Sequence, residues 1–274
     1  MSLEHFSLAN KRVLITGASG LLGLQHARAI IQAGGSPILI DIDTTKANQF
    51  KSEMKKNLNQ EIDVYKVDIT NENEIIQLED LLIDKPLHGI INNACMNPKV
   101  TPNGVFESKT RLEEFSLQNW NAEIGVGLTG SFLITKHIGK ILSRNIEGGS
   151  IVNISSDLGL VAPDQRLYSN LSPSHQDSQV KPVTYSVIKS GIIGLTKYTA
   201  TYWADKNVRC NALCPGGVYT DQSEEFISKI SKLIPLSRMA RVDEYQGSIV
   251  YLLSEASSYM TGSILSVDGG RTAW

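Results

Sequence analysis

A tyrosine and a lysine in the segment YSVIK have the spacing and the chemistry of a proton-transfer pair. Tyr185 and Lys189 lie four positions apart, so on a helix both side chains share one face. A phenol ordinarily has a pKa near ~10 and is a poor base at neutral pH, but a cation beside it favours the phenolate. The pair could therefore exchange a proton with a hydroxyl or carbonyl group. Taken alone, the same two residues also fit an ordinary helix face.

A glycine-rich stretch, TGASGLLG, is the second candidate for chemistry. Gly17, Gly20 and Gly23 fall three apart, between an apolar run and a segment of helical periodicity. Because glycine has no side chain, such a turn lets a pyrophosphate approach the backbone, and the free N–H groups of the following helix face the anion. A loose turn would also explain three glycines, but their position after the first strand favours a dinucleotide site.

Asp41 closes the second apolar run, 24 residues after Gly17. A carboxylate in this place accepts hydrogen bonds from an adenosine ribose 2′-hydroxyl and repels a 2′-phosphate. The glycine turn itself contains no arginine or lysine. We therefore expect NAD(H) to be favoured over NADP(H), although Asp41 could instead be a helix cap or a loop acid, as could Asp43.

The elements that must position these residues follow from the alternation of short apolar runs with helical periodicity. This alternation predicts an α/β fold of Rossmann type, with a doubly wound, mainly parallel seven-stranded sheet and helices on both faces. Without repeats or linkers, residues 1–274 are expected to form a single domain, with an inserted substrate-side loop at about 157–184. The predicted strands are 12–16, 36–40, 62–67, 88–94, 149–155, 208–214 and 263–270.

Composition excludes several classes of protein. A net charge of -2 over 274 residues argues against a nucleic-acid partner, and no apolar run is long enough to span a membrane. The three cysteines, Cys95, Cys210 and Cys214, form no CxxC pair, which suits reduced thiols in a cytoplasmic protein. His175 with Asp164 or Asp177 makes no convincing metal site, so no metal is expected.

Several further motifs give the chain a resemblance to the short-chain dehydrogenase/reductase family over nearly its whole length. They include KVDIT around Asp68, NNAC at 92–95, ISS at 154–156 and PGGVYT at 215–220. The resemblance implies an NAD(P)-dependent oxidoreductase that interconverts a secondary alcohol and a ketone. It implies that Tyr185 is the acid/base, that Lys189 tunes it and anchors the nicotinamide ribose, and that Ser156 holds the substrate oxygen.

The same resemblance implies a set of cofactor contacts. Asp68 would contact the adenine and Thr220 the nicotinamide carboxamide, although Thr220 could also cap the following short helix. Asn92 and Asn93 are expected to orient backbone around the cofactor. The full set of expected cofactor-binding residues is Gly17, Ser19, Gly20, Leu22, Gly23, Asp41, Asp68, Ile69, Asn93, Ala94, Tyr185, Lys189, Pro215, Gly216, Val218 and Thr220.

The chain departs from the simpler members of the family in three ways. Its glycines are spaced GxxGxxG, similar to the branch that modifies nucleotide sugars, rather than GxxxGxG. Gly127 stands where many members carry an asparagine that supports a water-linked proton path, which leaves that path rerouted, slowed or absent. Ser156 and Tyr185 are 29 residues apart, about twice the usual separation, and the interval is too long for an ordinary connection.

The substrate and the assembly are expectations from resemblance. The stretch EIGVGLTGSF and the long insert resemble members from bacterial surface-sugar and flagellin-modification pathways, which favours a sugar derivative. Arg166, His175 and Lys181 could meet an anionic substrate such as a phosphorylated or nucleotide-linked sugar, or could be solvated loop charges. A sugar epimerase or dehydratase, and a non-catalytic NAD-binding scaffold or sensor, are the alternatives. A homodimer or homotetramer is expected, with helices around 117–143 and 184–205 in the interface.

Overall fold

The computed structural model describes residues 3–96, 109–168 and 180–274. Its seven strands lie in the order β3-β2-β1-β4-β5-β6-β7, and every strand pairing within these residues is parallel. The predicted α/β sheet of Rossmann type is confirmed. The strands are β1 Arg12–Thr16, β2 Ser36–Asp41, β3 Asp63–Lys66, β4 Gly89–Asn92, β5 Gly149–Ile154, β6 Val208–Pro215 and β7 Ile264–Val267.

Helices cover both faces of the sheet, as a parallel sheet requires. Successive side chains of a strand point to opposite faces, so Val13 and Ile15 of β1 enter one buried cluster and Leu14 enters the other. This two-sided burial explains why consecutive residues in the middle of β1 and β2 are apolar instead of alternating with polar ones. The helices are α1 Leu21–Gln32, α2 Thr45–Leu58, α3 Glu72–Leu82, α4 Leu117–Ile124, α5 Ser131–His137, α6 Gly139–Leu142, α7 Val183–Tyr202, α8 Glu224–Ser231 and α9 Gln246–Leu253.

The stretch predicted as one long helix, about 117–143, is divided. A π-helical segment, Gly125–Gly130, separates α4 from α5, and α6 follows after a further break. Glycine allows neighbours to approach this segment closely. A Cβ added to Gly127 would lie 2.7 Å from Ile188 Cγ2, and one added to Gly130 would lie 2.7 Å from Ile69 Cδ1. The wider π-helical turn therefore forms where Gly127 and Gly130 have no side chain.

The interval 157–184 begins with two short 3₁₀ turns, Asp157–Gly159 and Gln165–Leu167, and ends where α7 starts at Val183. Its central part, with His175 and Asp177, lies outside the described residues. None of the described helices combines the length and the apolar content that crossing a membrane requires.

The chain reverses its direction of winding between β1 and β4. Strand β1 pairs with β2 on one side and with β4 on the other, so the connections from these strands diverge. A crevice forms beyond the carboxyl ends of parallel strands at such a switch point. The glycine turn follows β1 directly and therefore lies at the mouth of this crevice.

Candidate active site

A cavity of about 730 Å³ occupies the crevice, a size typical of a site for a cofactor with its substrate. Its walls come from segments that directly follow the central strands. Of the residues expected to bind cofactor or substrate, the cavity is lined by Gly17, Gly20, Leu22, Asp41, Asp68, Ile69, Asn93, Ala94, Ser156, Tyr185, Lys189, Pro215, Gly216, Val218 and Thr220. Ser19 and Gly23 do not line it.

The glycine turn has the geometry of an anion cradle. Gly17 has a φ of 60°, and a Cβ there would lie 2.7 Å from the Ala94 Cα. A Cβ on Gly23 would lie 2.4 Å from the Gly17 carbonyl oxygen, so Gly23 serves the packing of α1 on the turn. Gly20 precedes α1 without a capping side chain, and the first turn of α1 has no acid. The N–H groups of α1 are thus left for an external anion, and the turn fits a pyrophosphate.

The end of β2 presents Asp41 to the cavity. Asp41 Oδ2 accepts a hydrogen bond from the Ser19 N–H at 2.9 Å, and Oδ1 accepts one from the Asp43 N–H at 3.1 Å. Each carboxylate oxygen retains a lone pair for a ribose hydroxyl. Ser19, whose hydroxyl donates to the Asp43 carbonyl at 2.6 Å, therefore holds Asp41 in place from outside the cavity.

Asn93 joins the end of β4 to the glycine turn. Its side-chain amide donates to the carbonyl oxygens of Thr16 and Gly17, both at 3.0 Å. In return, Thr16 Oγ1 accepts the backbone N–H groups of Asn93 and Ala94. Asn92 is buried and donates to the side chain of Asn153 at 2.8 Å. Asn93 therefore orients backbone, as the sequence predicts, whereas the Asn92 side chain donates to two other side chains, those of Thr135 and Asn153.

Ser156, Tyr185 and Lys189 meet at one wall of the cavity. Ser156 lies two residues beyond the end of β5, whereas the other two lie one turn apart on α7. Lys189 Nζ donates to the Ile154 carbonyl at 2.9 Å and lies 5.6 Å from the centre of the Tyr185 ring. The strand end therefore fixes the ammonium, and the helix fixes the phenol beside it.

The protein alone does not stabilise a Tyr185 phenolate. Burial raises the pKa of Tyr185, and the Lys189 ammonium opposes this rise only in part. Burial lowers the pKa of Lys189, but the neighbouring Cys95 and Tyr185 outweigh that effect and leave it raised. The lysine acts in the direction expected from the sequence, but without a bound cation the tyrosine is the protonated partner at neutral pH.

The segment after β6 supplies the opposite wall. The Thr220 N–H donates to Gln222 Oε1 at 2.8 Å, and Thr220 Oγ1 accepts from Gln222 Nε2 at 2.9 Å. Ser223, not Thr220, caps α8, with its hydroxyl accepting the Phe226 N–H. The capping alternative for Thr220 is therefore wrong, and its side chain remains at the cavity.

The cations expected on the insert have different locations. Lys181 lines the cavity, with Nζ 3.9 Å from the centre of the Tyr185 ring, and burial lowers its pKa to about 8. Arg166 lies outside it, 87% exposed and bound by two hydrogen bonds to Asp164. Among the residues described, no group of histidine, cysteine or acidic side chains could hold a metal ion.

Sequence reasoning missed two buried residues beside Ser156. Asp157 Oδ1 accepts the Ser156 hydroxyl at 2.7 Å, and Oδ2 accepts Arg271 Nη1 at 2.6 Å. Both side chains of this ion pair are more than nine-tenths buried and line the cavity. The sequence features that could have identified these two residues are an acid directly after ISS and an arginine directly after VDGG. Neither position belongs to a motif with a mechanism, and the two lie 114 residues apart.

Comparisons with known proteins agree with the fold. The family model described as "Enoyl-(Acyl carrier protein) reductase" matches residues 17–272. The chain is 31% identical to a 3-oxoacyl-[acyl-carrier-protein] reductase of Synechocystis, over 96% of this chain and 98% of that protein. It is 30% identical to an NADH-dependent L-xylulose reductase of Ambrosiozyma monospora (99% and 98% covered), and 28% identical to post-translational flagellin modification protein A of Campylobacter coli (96% and 98%).

Solved structures are similar over the whole chain. A short-chain dehydrogenase of Leptospira borgpetersenii with bound NAD+ is 28% identical with a TM-score of 0.82, covering 99% of this chain and 96% of that one. A gluconate 5-dehydrogenase of Burkholderia cenocepacia in complex with NADP and tartrate is 24% identical with a TM-score of 0.85, and both chains are fully covered. The latter likeness concerns the fold alone.

The chain belongs to the short-chain dehydrogenase/reductase family. It is an oxidoreductase that acts on alcohol or ketone groups, with a nicotinamide cofactor of the NAD(P)(H) type.

Proposed function

We propose that the protein is an NAD(H)-dependent oxidoreductase that interconverts a secondary alcohol and a ketone, with a sugar derivative as the favoured substrate. One observation carries the proposal: the uncapped glycine turn, Asp41 and the Ser156–Tyr185–Lys189 group all border one cavity. The turn would hold the pyrophosphate, Asp41 the adenosine ribose, and the segment from Pro215 to Thr220 the nicotinamide. When bound, the nicotinamide ring supplies or accepts the hydride.

The positions of Tyr185, Lys189 and Ser156 support the roles that the family resemblance implies for them. Tyr185, protonated at neutral pH, would donate its proton to a ketone oxygen during reduction and take one from the alcohol during oxidation. Lys189, fixed by the Ile154 carbonyl, opposes the effect of burial on the phenol and would hold the nicotinamide ribose. Ser156 would hold the substrate oxygen beside the phenol.

The choice of NAD(H) depends on Asp41. Its carboxylate is oriented by two backbone N–H groups and borders the adenosine end of the cavity, where it would repel a 2′-phosphate. One relative is named as NADH-dependent, whereas one neighbour of similar fold holds NADP. The proposed preference for NAD(H) therefore rests on the negative charge of Asp41 and not on the relatives.

The test is a fluorescence titration of cofactor-free protein with NADH and, in parallel, NADPH. We expect NADH to bind at least about tenfold more tightly, because NADPH would place a phosphate beside Asp41. Asp41→Asn should reduce this preference, and Glu53→Gln, which changes an exposed acid on α2, should not. Tighter binding of NADPH by the unaltered protein would overturn the assignment of Asp41.

A screen of sugar alcohols and ketones then tests the reaction itself. Oxidation of an alcohol with stoichiometric NADH formation is the expected result. Conversion of a sugar with tightly retained NAD and no net NADH would instead identify an epimerase or dehydratase. If Tyr185→Phe leaves the biological function intact, the protein is a scaffold or sensor.

We also propose that residues 1–274 act as one domain that assembles into a homodimer or homotetramer. Tyr198 and Tyr202 of α7 stack on each other with ring centres 5.7 Å apart and are both mostly exposed, and Phe132 of α5 is half-exposed. Burial of these rings against a second copy would remove a large apolar area from water.

A further inference from the structure

We propose that Arg271 binds a carboxylate group of the substrate, so that the enzyme acts on a hydroxy acid and its oxo acid, sugar acids included. The inference rests on the proposed function and narrows its substrate class. It concerns the part of the cavity between Ser156 and the segment that follows β7.

Arg271 is held from one side only. Its Nη1 donates to Asp157 Oδ2 at 2.6 Å, and the side chain is 8% exposed. The other oxygen of Asp157 accepts the Ser156 hydroxyl and the Leu158 N–H. The position of the guanidinium is therefore fixed by an acid that is itself fixed by two further donors, the Ser156 hydroxyl and the Leu158 N–H.

The opposite edge of the guanidinium has no partner in the described part of the chain. Within residues 3–96, 109–168 and 180–274, no acceptor forms a hydrogen bond with Nε or Nη2 of Arg271. Neither nitrogen is among the fully enclosed side-chain atoms that lack a partner, so both keep some accessible surface, and Arg271 is one of the residues that line the cavity. The nearby acid Asp164 is bound by Arg166. A buried guanidinium with an open donor edge is costly unless a ligand supplies the acceptors.

The shape and charge of this edge favour a carboxylate. Nε and Nη2 form a planar pair of parallel donors, which matches the two oxygens of a carboxylate in a bidentate contact. Asp157 already neutralises Arg271, so a bound carboxylate leaves one net negative charge in a buried place, whereas a phosphate dianion would leave two. A carboxylate is therefore a more favourable ligand for this edge than a phosphate dianion.

The contact also places the carboxylate near the reacting carbon. One Asp157 carboxylate separates Arg271 from the Ser156 hydroxyl, which would hold the oxygen that is oxidised or reduced. A substrate that reaches both groups carries its alcohol carbon within a few bonds of its carboxylate. In this arrangement Arg271 touches the substrate away from the reacting atoms, and Asp157 is a positioning residue.

The test measures binding to the NADH-loaded protein, which cannot oxidise an alcohol. Thermal shifts are recorded as a function of concentration for lactate, tartrate and gluconate, each matched with its neutral alcohol: propane-1,2-diol, threitol and sorbitol. We expect at least one acid to bind about tenfold or more tightly than its neutral partner, as a charge-assisted bidentate contact would produce. Arg271→Gln should remove that discrimination.

Two further variants keep the test decisive. Because Arg271→Gln leaves Asp157 as an unpaired buried charge, the double variant Asp157→Asn/Arg271→Gln removes both charges together. Arg241→Gln, a change of an exposed arginine, should preserve the discrimination. The inference is wrong if no acid binds the unaltered protein better than its alcohol, or if the folded double variant still prefers the acid.

Failure of the proposed function has a different signature. The titrations are repeated without NADH, because protein groups alone build the Arg271 site. If NADH does not bind but the acids are still preferred through Arg271, the proposed function fails and the carboxylate site stands. If NADH binds and neutral alcohols are oxidised without any preference for acids, the proposed function stands and the carboxylate site fails.

Discussion

At the scale of single residues, the site depends on which groups are charged before the substrate arrives. Tyr185 is a buried phenol whose neighbouring ammonium does not overcome the effect of burial. The cofactor therefore decides the direction of proton transfer. The oxidised nicotinamide adds a positive charge beside the phenol and favours the phenolate, whereas the reduced ring is neutral and leaves the phenol protonated.

Tyr185→Phe should lower kcat by about 10²- to 10⁴-fold, because it removes the proton donor and acceptor while retaining the ring. NADH binding should change little. The measurement is steady-state turnover of an alcohol identified in the substrate screen, with NADH affinity from fluorescence. Ser186→Ala, the next residue on α7, is the matched control. A variant with normal turnover would exclude Tyr185 as the acid/base.

The raised pKa of Tyr185 sets the pH dependence of ketone reduction. In the NADH complex the phenol must be protonated to react, so kcat/KM for the ketone should stay level through neutral pH and fall only above about pH 10, the ordinary phenol value. Initial rates from about pH 6 to 10.5 test this. A decline between pH 6 and 8 would contradict it.

At the scale of elements, the packing of the π-helical segment Gly125–Gly130 on α7 accounts for the glycine at position 127, where many family members carry an asparagine. The position of Gly127 faces α7, and the side chain of Ile188 fills the space that a Cβ would need. An amide cannot enter without displacing Ile188, which lies between Tyr185 and Lys189 on the same helix. The absence of an amide at position 127 is therefore a consequence of the close packing of Ile188 of α7 against Gly127.

Gly127→Ala should lower the free energy of unfolding by about 1–3 kcal/mol, since the new Cβ would lie 2.7 Å from Ile188 Cγ2. In an Ile188→Ala background the same change should cost much less, which urea unfolding of the four proteins can measure. Gly247→Ala on α9 is the control, because nothing lies within 4 Å of its Cβ position. Equal costs in both backgrounds would rule out this contact as the cause.

At the scale of the whole molecule, local patterns predicted most of the architecture. The β-branched runs form the strands, the glycine turn at Gly17 follows β1, and the YSVIK pair lies on α7 beside the end of β5. The sequence could not reveal the pairing of Asp157 with Arg271, because it joins two distant segments through a contact that only the folded sheet creates. It also concealed the break in the 117–143 helix, since the π-helical segment lies where distant residues, Ile188 and Ile69, pack closely on Gly127 and Gly130.

Assembly should depend on the exposed rings of α7. Tyr198→Glu would place a charge in the proposed interface and should shift the protein toward monomer, measured by size-exclusion chromatography with light scattering. Tyr259→Glu, at a fully exposed ring elsewhere, should have no effect. If both variants keep the parent mass, the interface lies elsewhere or the protein is a monomer.

The close contact between Gly17 and Ala94 makes the cofactor a ligand of the folded state alone. These residues follow two strands that are far apart in sequence, and the cradle exists only after β1 has paired with β4. An unfolded chain offers the dinucleotide no site, so its binding energy adds to the energy of folding. At a free concentration about 100 times Kd, this linkage adds about 2.7 kcal/mol. The cellular concentration of the nicotinamide cofactor would thus also set the fraction of this protein that is unfolded at any time.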